Sequence, residues 1–413
     1  MPDLEKRRGE MKRIAIVALS LVLGLALALP AAAAEPIKIG VLVPLTGIVA
    51  NGGQEMRNGI DMAAKEKKTI NGRPIQLIVE DTRVKPKIAV QKAEKLVFKD
   101  KCVALVGVFS SGVGLALAKN IDKLGVPLLS THVMTTKFYG LHPLVFRSGQ
   151  LANDQTAVGN VKGILATPSL RKRKYYVLVH DYAWGHDAGN RFVALAKKYG
   201  IKVVNPDYDK APIKTKNWSS YISKIKASGA DAIYIALITD VIPRFVAQAA
   251  EFGLTKTCRI VSGAAPGAMD LENAGVNGTG IFGASDYAWD LENHPKYAAK
   301  AKAWNMRYYK NYKAIPCDAA AHSYVGAMNL FNAIEKAGST DAKAIAQALK
   351  GISFDGPYGK VWICPKDNCM RNDAVLTETM PAPPNPYGAK MYMKVINIFP
   401  AKELGPACPG YSF

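Results

Sequence analysis

From residue 37 onward the chain alternates short, β-branched apolar runs with longer segments whose apolar positions recur every three or four residues. The first run covers 37–43, and the helical spacing that follows it covers 53–67. The same alternation predicts strands over 74–80, 103–108 and 126–130, with helices over 88–99 and 112–124. A second series starts after Arg147-Ser148-Gly149: helix 153–166, strand 175–180, helix 188–199, strand 201–204, helix 218–228, strand 232–238 and helix 242–252. Strands that alternate with helices build parallel sheets covered on both faces. Two such series give two Rossmann-like α/β lobes.

Beyond these, 295–312, 319–337 and 340–350 read as helices without strands between them, followed by a proline-rich end at 381–386. Helices alone build no third sheet, so they are expected to pack back on the first lobe. The chain then crosses between lobes more than once and leaves a hinged cleft. The expected division is 35–152 with 287–358 for one lobe and 153–286 with 359–413 for the other.

The N-terminus reads differently. Met11-Lys12-Arg13 precedes an apolar run over 14–29, then Pro30 and four alanines. This is the pattern of a secretory signal peptide (1–34) with cleavage near Ala34, residues 1–10 reflecting an upstream start assignment. No later stretch offers the roughly 18 consecutive apolar residues of a membrane span, so no stable membrane insertion is expected. No cysteine would stand at the new terminus to carry a lipid anchor.

Length and charge sharpen the picture. About 380 remaining residues exceed what one core organises. The formal charge of +21 falls to +19 without the leader, which loses five basic and three acidic side chains. The basic excess is dispersed, its densest run being Arg171-Lys172-Arg173-Lys174 before a strand, and with an export signal it argues for solvated surface and no nucleic-acid partner. Six cysteines in an exported chain permit disulfides, and Cys364 with Cys369 could close a six-residue loop. No second short-spaced pair accompanies them, so no metal site is expected.

Open α/β sheets bind ligands at the C-terminal ends of their strands. There, Val106 to Gly112 runs from strand into helix, and the free amides of the helix start, with the hydroxyls of Ser110 and Ser111, suit an anion or carboxylate. The competing reading makes either serine an N-cap. In the second lobe Tyr182 and Trp184 follow one strand and Asp240 another; a ring can wall a pocket and an acid can hold an ammonium group, while Asp240 equally suits an N-cap. Enzyme signatures fail. Gly112-Val113-Gly114 lacks the third glycine of a dinucleotide loop, Leu117 standing in its place. Neither serine has the preceding glycine of a nucleophile elbow.

The residues 39–47 (Ile-Gly-Val-Leu-Val-Pro-Leu-Thr-Gly), 71–75 before Glu80-Asp81, 125–130, 248–254 and 354–361 occur in the order seen in the leucine-isoleucine-valine-binding protein family, which this chain resembles over nearly its whole length after the leader. The resemblance implies a type I periplasmic-binding-protein fold that closes around a small ligand without cofactor and delivers it to an ABC permease in the inner membrane. It implies that Ser111 holds a ligand carboxylate with the backbone of 131–135, here including His132, Val133, Met134 and Thr135, and that Trp184 covers the ligand. Three positions depart from the pattern. A threonine aligns with Met134, Thr135 being adjacent. In the first loop, Asn51-Gly52, an aromatic aligns with Gly52, leaving extra volume. The acid for an amino group aligns with Val241, Asp240 being one residue early. A buried ammonium without an acid is costly, so an aromatic carboxylate or an amide stands beside a branched-chain amino acid as expected ligand, and a receptor-linked ligand sensor beside importer delivery.

Overall fold

The computed structural model describes residues 34–238 and 241–408; the expected signal peptide, Ala34 apart, and Asp240 lie outside the described residues. The first sheet contains β1 (Ile37–Val43), β2 (Thr69–Ile70), β3 (Arg73–Asp81), β4 (Ala104–Gly107), β5 (Leu128–Ser130) and β6 (Val145–Arg147), in the order β2-β3-β1-β4-β5-β6. All its pairings are parallel except the β2–β3 hairpin. In β1, six of the seven residues are buried, as a strand covered by helices on both faces requires.

The chain then enters the second sheet through β7 (Lys174–His180), β8 (Lys202–Val203), β9 (Asp209–Ala211), β10 (Ala232–Ala236), β11 (Arg259–Ser262) and β12 (Ile281–Ser285). It returns through helices Ala298–Tyr312, Asp318–Ala337 and Ala342–Leu349. A small antiparallel sheet follows, β13 (Ser353–Gly356), β14 (Gly359–Ile363) and β15 (Met370–Arg371), after which β16 (Ala374–Pro381) and β17 (Met391–Phe399) add an antiparallel hairpin to β12. The second sheet thus runs β17-β16-β12-β11-β10-β7-β8, with β9 also on β7. The proline-rich stretch is the connection inside the terminal hairpin.

Of the three late helices, Asp318–Ala337 packs on helix Ala50–Lys67, and Ala342–Leu349 packs on Asp318–Ala337. Helix Asp318–Ala337 lies so close to helix Ala50–Lys67 that a Cβ on Gly59 would sit 2.1 Å from the Ala320 carbonyl oxygen. Tyr324 donates to Glu66 (2.6 Å) across this contact, and Tyr312, at the end of helix Ala298–Tyr312, donates to Asp61 (2.7 Å). The small sheet adjoins the same lobe, Cys369 bridging to Arg147 at the end of β6.

The cysteine expectation is corrected. Cys364 is joined to Cys408, and Cys369 is a buried free thiol. The six-residue loop closes through its backbone instead: Cys364 N–H donates to Cys369 O (2.9 Å), and Asn368 N–H to Cys364 O (2.9 Å). Cys369 Sγ turns away against the carbonyl of Phe138 (3.6 Å), leaving Cys364 to the C-terminal tail. Among the described residues no helix is long and apolar enough to cross a membrane.

Candidate functional site

Between the sheets lies a cavity of about 340 Å³ lined by Phe109, Ser111, His132, Met134, Gln150, Tyr182, Trp184, Ile238 and Ala264. Every one of these follows the C-terminal end of a parallel strand: β4, β5 and β6 from the first sheet, β7, β10 and β11 from the second. A second chamber of about 350 Å³ adjoins it and shares Phe109, His132 and Gln150.

Beyond β4 the backbone turns through two left-handed residues, Gly107 (φ 111°) and the buried Val108 (φ 68°). A β-branched residue in that region costs about 1–3 kcal/mol and is held there only by its surroundings. The turn delivers Phe109 to the cleft and Ser111 to the first position of helix Ser111–Lys119. Ser110 stands at the N-cap position, yet its side chain accepts no capping hydrogen bond. Ser111 Oγ accepts the Thr135 amide (3.3 Å), tying the loops after β4 and β5 together.

Helix Ala183–Lys198 starts five residues earlier than its spacing suggested. Gly185 explains this, since a Cβ there would be 2.0 Å from His180 O; without it the helix swings in and sets Trp184 in its first turn. Asn153 donates to the Trp184 carbonyl (3.3 Å) within the second lobe, and the Thr136 amide donates to Asp187 (2.8 Å) across the lobes behind the cavity.

The cavity wall is largely aromatic. Phe109 stacks on His132 at 4.5 Å between centroids, and Tyr182 lies 6.0 Å from Trp184. Burial, reinforced by the neighbouring His322, depresses His132 well below the usual imidazole range, so the ring is neutral. Burial also pushes the Tyr182 hydroxyl far up, keeping its proton. Three buried polar atoms on this wall have no protein partner: His132 Nδ1, Gln150 Oε1 and Trp184 Nε1. Buried polar groups are nearly always paired, so these atoms are suited to a guest. Behind His132, His322 Nε2 pairs with Asp286, which raises that histidine against the opposing effect of burial.

The structure brings Ser111, His132, Met134, Tyr182 and Trp184 onto one wall, and places Asn51 and Gly52 in the adjoining chamber. Ser110, Val133 and Thr135 do not line either space. Val133 packs into the first lobe's core, its amide bonded to Ser130 Oγ (3.1 Å), and the Thr135 hydroxyl accepts from Lys137 N (3.4 Å). The extra volume expected at Gly52 is filled from the neighbouring loop, since a Cβ there would meet Phe109 Cε2 at 3.0 Å. Sequence reasoning missed Phe109, Gln150, Ile238 and Ala264, and in the second chamber Glu55, Asp270 and Asp318. Phe109 adjoins Ser110, and Ile238 lies two residues before Asp240. Gln150 and Ala264 follow β6 and β11, whose short apolar runs were the available signal.

Residues 36–380 match the family described as Periplasmic binding protein. The chain is 26% identical over 408 residues to the Leu/Ile/Val-binding protein homolog 6 of Brucella suis, covering 94% of this chain and 97% of that protein. Among solved structures it resembles a solute binding protein of an ABC transporter from Rhodopseudomonas palustris in complex with 3,4-dihydroxybenzoic acid (TM-score 0.80, 23% identity, 91% of this chain and 99% of that one). It also resembles a leucine binding protein from Thermotoga maritima (TM-score 0.76, 23% identity, 89% and 100%). Two α/β lobes around a cleft walled by strand ends, matched by the family pattern along most of the chain, lead to one conclusion: this chain belongs to the periplasmic binding protein family.

Proposed function

We propose that the protein is the solute-capturing component of an ABC importer of the branched-chain amino acid type. In this reading the leader at 1–34 directs export, the mature chain works in the periplasm, and a small amino acid or related carboxylate is held between two hinged lobes. Ligand contacts with both lobes stabilise the closed form, which docks on the inner-membrane permease. The observation that carries the reading is Ser111, at the uncapped start of a helix and on the floor of a cavity to which both lobes contribute. Helix-start amides and a serine hydroxyl suit a carboxylate.

An aromatic carboxylate or an amide is a second reading, favoured by the rings of Phe109, Tyr182 and Trp184 and by the lack of an acidic side chain among the described residues lining the first chamber. It is supported by the neighbour solved with dihydroxybenzoate. Catalysis has no comparable support: His132 is stacked and neutral, and the nearby carboxylate of Asp286 serves His322 instead, so no acid orients it as a base. Sensing for a receptor would use the same cleft, and permease genes beside this one would favour import.

A thermal-shift screen of amino acids, aromatic acids and amides, followed by calorimetry, tests the reading. A carboxylate ligand is expected to raise the melting temperature. Ser111→Ala should weaken it by about 10- to 100-fold, the equivalent of one charge-assisted hydrogen bond. No stabilisation by any member of the three classes, or unchanged affinity in Ser111→Ala, would refute it.

A further inference from the structure

The cleft uses the C-terminal ends of the second sheet's strands, and the opposite end of that lobe has a chemistry of its own. There the strands begin and the helices that precede them end. Arg171, Lys172 and Lys174 stand exposed where β7 begins. Helix Ala183–Lys198 ends on the exposed Lys197 and Lys198, and β8 begins on Lys202, which lies beside Lys174 in the sheet. Lys226 is exposed in the last turn of helix Ser219–Ala227, and Lys256 just before β11. The sequence disperses these side chains; the fold collects them.

Little at this end opposes them. Asp231 is half-buried and accepts the Lys174 amide (2.6 Å), and Glu378 is paired with Arg259 (2.8 Å), which leaves the exposed Glu251. Among the described residues, none of the exposed cations just named belongs to an ion pair. The far end of the first lobe instead interleaves both signs, pairing Lys67 with Glu335 (2.6 Å), Lys95 with Asp100 (2.9 Å) and Lys123 with Glu94 (2.5 Å).

Exposed apolar side chains share the basic end. Tyr199 (49% exposed) follows helix Ala183–Lys198, Phe252 (44%) follows helix Ile242–Glu251, and Val276 (75%) sits in the turn before β12. Lys198 Nζ lies 5.4 Å from the centre of the Tyr199 ring, and Lys226 Nζ donates to the Phe252 carbonyl (3.0 Å). Rings flanked by cations suit the headgroup layer of a bilayer, and basic clusters are drawn to its anionic lipids. An exposed valine gains from that layer too, whereas a water-soluble polyanion offers it nothing.

We propose that this end of the second lobe docks on the surface of an anionic phospholipid bilayer, its cations on lipid phosphates and its rings at headgroup depth. The contact is peripheral, since among the described residues no helix is long and apolar enough to cross a membrane. It leaves the cleft, at the other end of the same strands, open to its solute. It also stands apart from the identity of that solute.

The test is co-sedimentation of the full mature chain with vesicles. Phosphatidylcholine vesicles carrying about 30 mol% phosphatidylglycerol should bind it about tenfold or more tightly than phosphatidylcholine alone. About 0.5 M NaCl should remove most of that preference. Lys172→Glu, Lys198→Glu and Lys202→Glu combined should abolish the preference. The same change of charge on the first lobe, Lys99→Glu, Lys119→Glu and Lys343→Glu combined, should leave most of it. Tyr199→Ser with Phe252→Ser should weaken binding severalfold although no charge changes. Equal binding to both kinds of vesicle in the unaltered protein overturns the proposal without any variant having to fold. It is overturned as well if the two triple variants lose binding alike, which would make net charge the cause, or if loss of both rings changes nothing. Capture of polyglutamate without capture of vesicles would assign this end to an acidic protein instead.

Discussion

Replacing Asp318 by Asn isolates the energetic consequence of burying a carboxyl at the wall of the cleft. Asp318 opens helix Asp318–Ala337 and is 5% exposed. Burial pushes its pKa up to about 6 from the ordinary 3.8; the neighbouring His322 and the Ala319 amide pull it down, and Asp286 pushes it further up. Because the folded state holds this proton more tightly than the unfolded chain does, the contribution to stability is whole below pH 3.8. It is lost as pH rises from there through 6. At 1.36 kcal/mol per pK unit, about 3 kcal/mol is forfeited by neutral pH. Asn cannot ionise and avoids that loss. Asp318→Asn should therefore be more stable than the parent at pH 7.5, by as much as roughly 6–12 °C for a domain of this size, with the advantage shrinking to nothing near pH 4. Melting curves of ligand-free protein across pH 3.5–8 read this directly. An offset that stays constant with pH, or a variant less stable at pH 7.5, would refute the reasoning.

Gly59→Ala should destabilise the first lobe by about 1–3 kcal/mol or more, because its Cβ would sit 2.1 Å from the Ala320 carbonyl oxygen; an unchanged urea midpoint would contradict that helix contact. Cys408→Ser opens a link between residues 44 apart and should cost about 2–4 kcal/mol. Peptide mapping without reductant should recover Cys364 with Cys408, and Cys369 should label only after unfolding; a Cys364–Cys369 peptide would refute the pairing.

Much of the architecture could be read from the chain because its strands are buried on both faces and bounded by helices with clear spacing. The helix over 153–166 was placed to the residue. The terminal hairpin was missed for a physical reason: β17 is buried at both ends but exposed at Lys394, Ile396 and Asn397 between them, Lys394 and Asn397 break its apolar run, and the prolines before it read as a tail. At the site, serine at a helix start and aromatics after a strand are local signals, and Ser111 and Trp184 carried them. Phe109 filling the space at Gly52 is a long-range relation with no local trace. Disulfide pairing failed similarly, since spacing shows which sulfurs are near in sequence but not that Cys369 faces Phe138.

The packing of helix Ala50–Lys67 against residues more than 250 positions later, as in Tyr312 with Asp61 and Lys67 with Glu335, bears on how the protein is made. A chain emerging N-terminus first, from a ribosome or a translocation pore, displays β1 and its helix long before their partner exists. Closing so long a loop is slow compared with local pairing. The second sheet's parallel core, contiguous over 174–285, can assemble meanwhile, so the core of the later lobe can form before the lobe that begins the sequence has its partners.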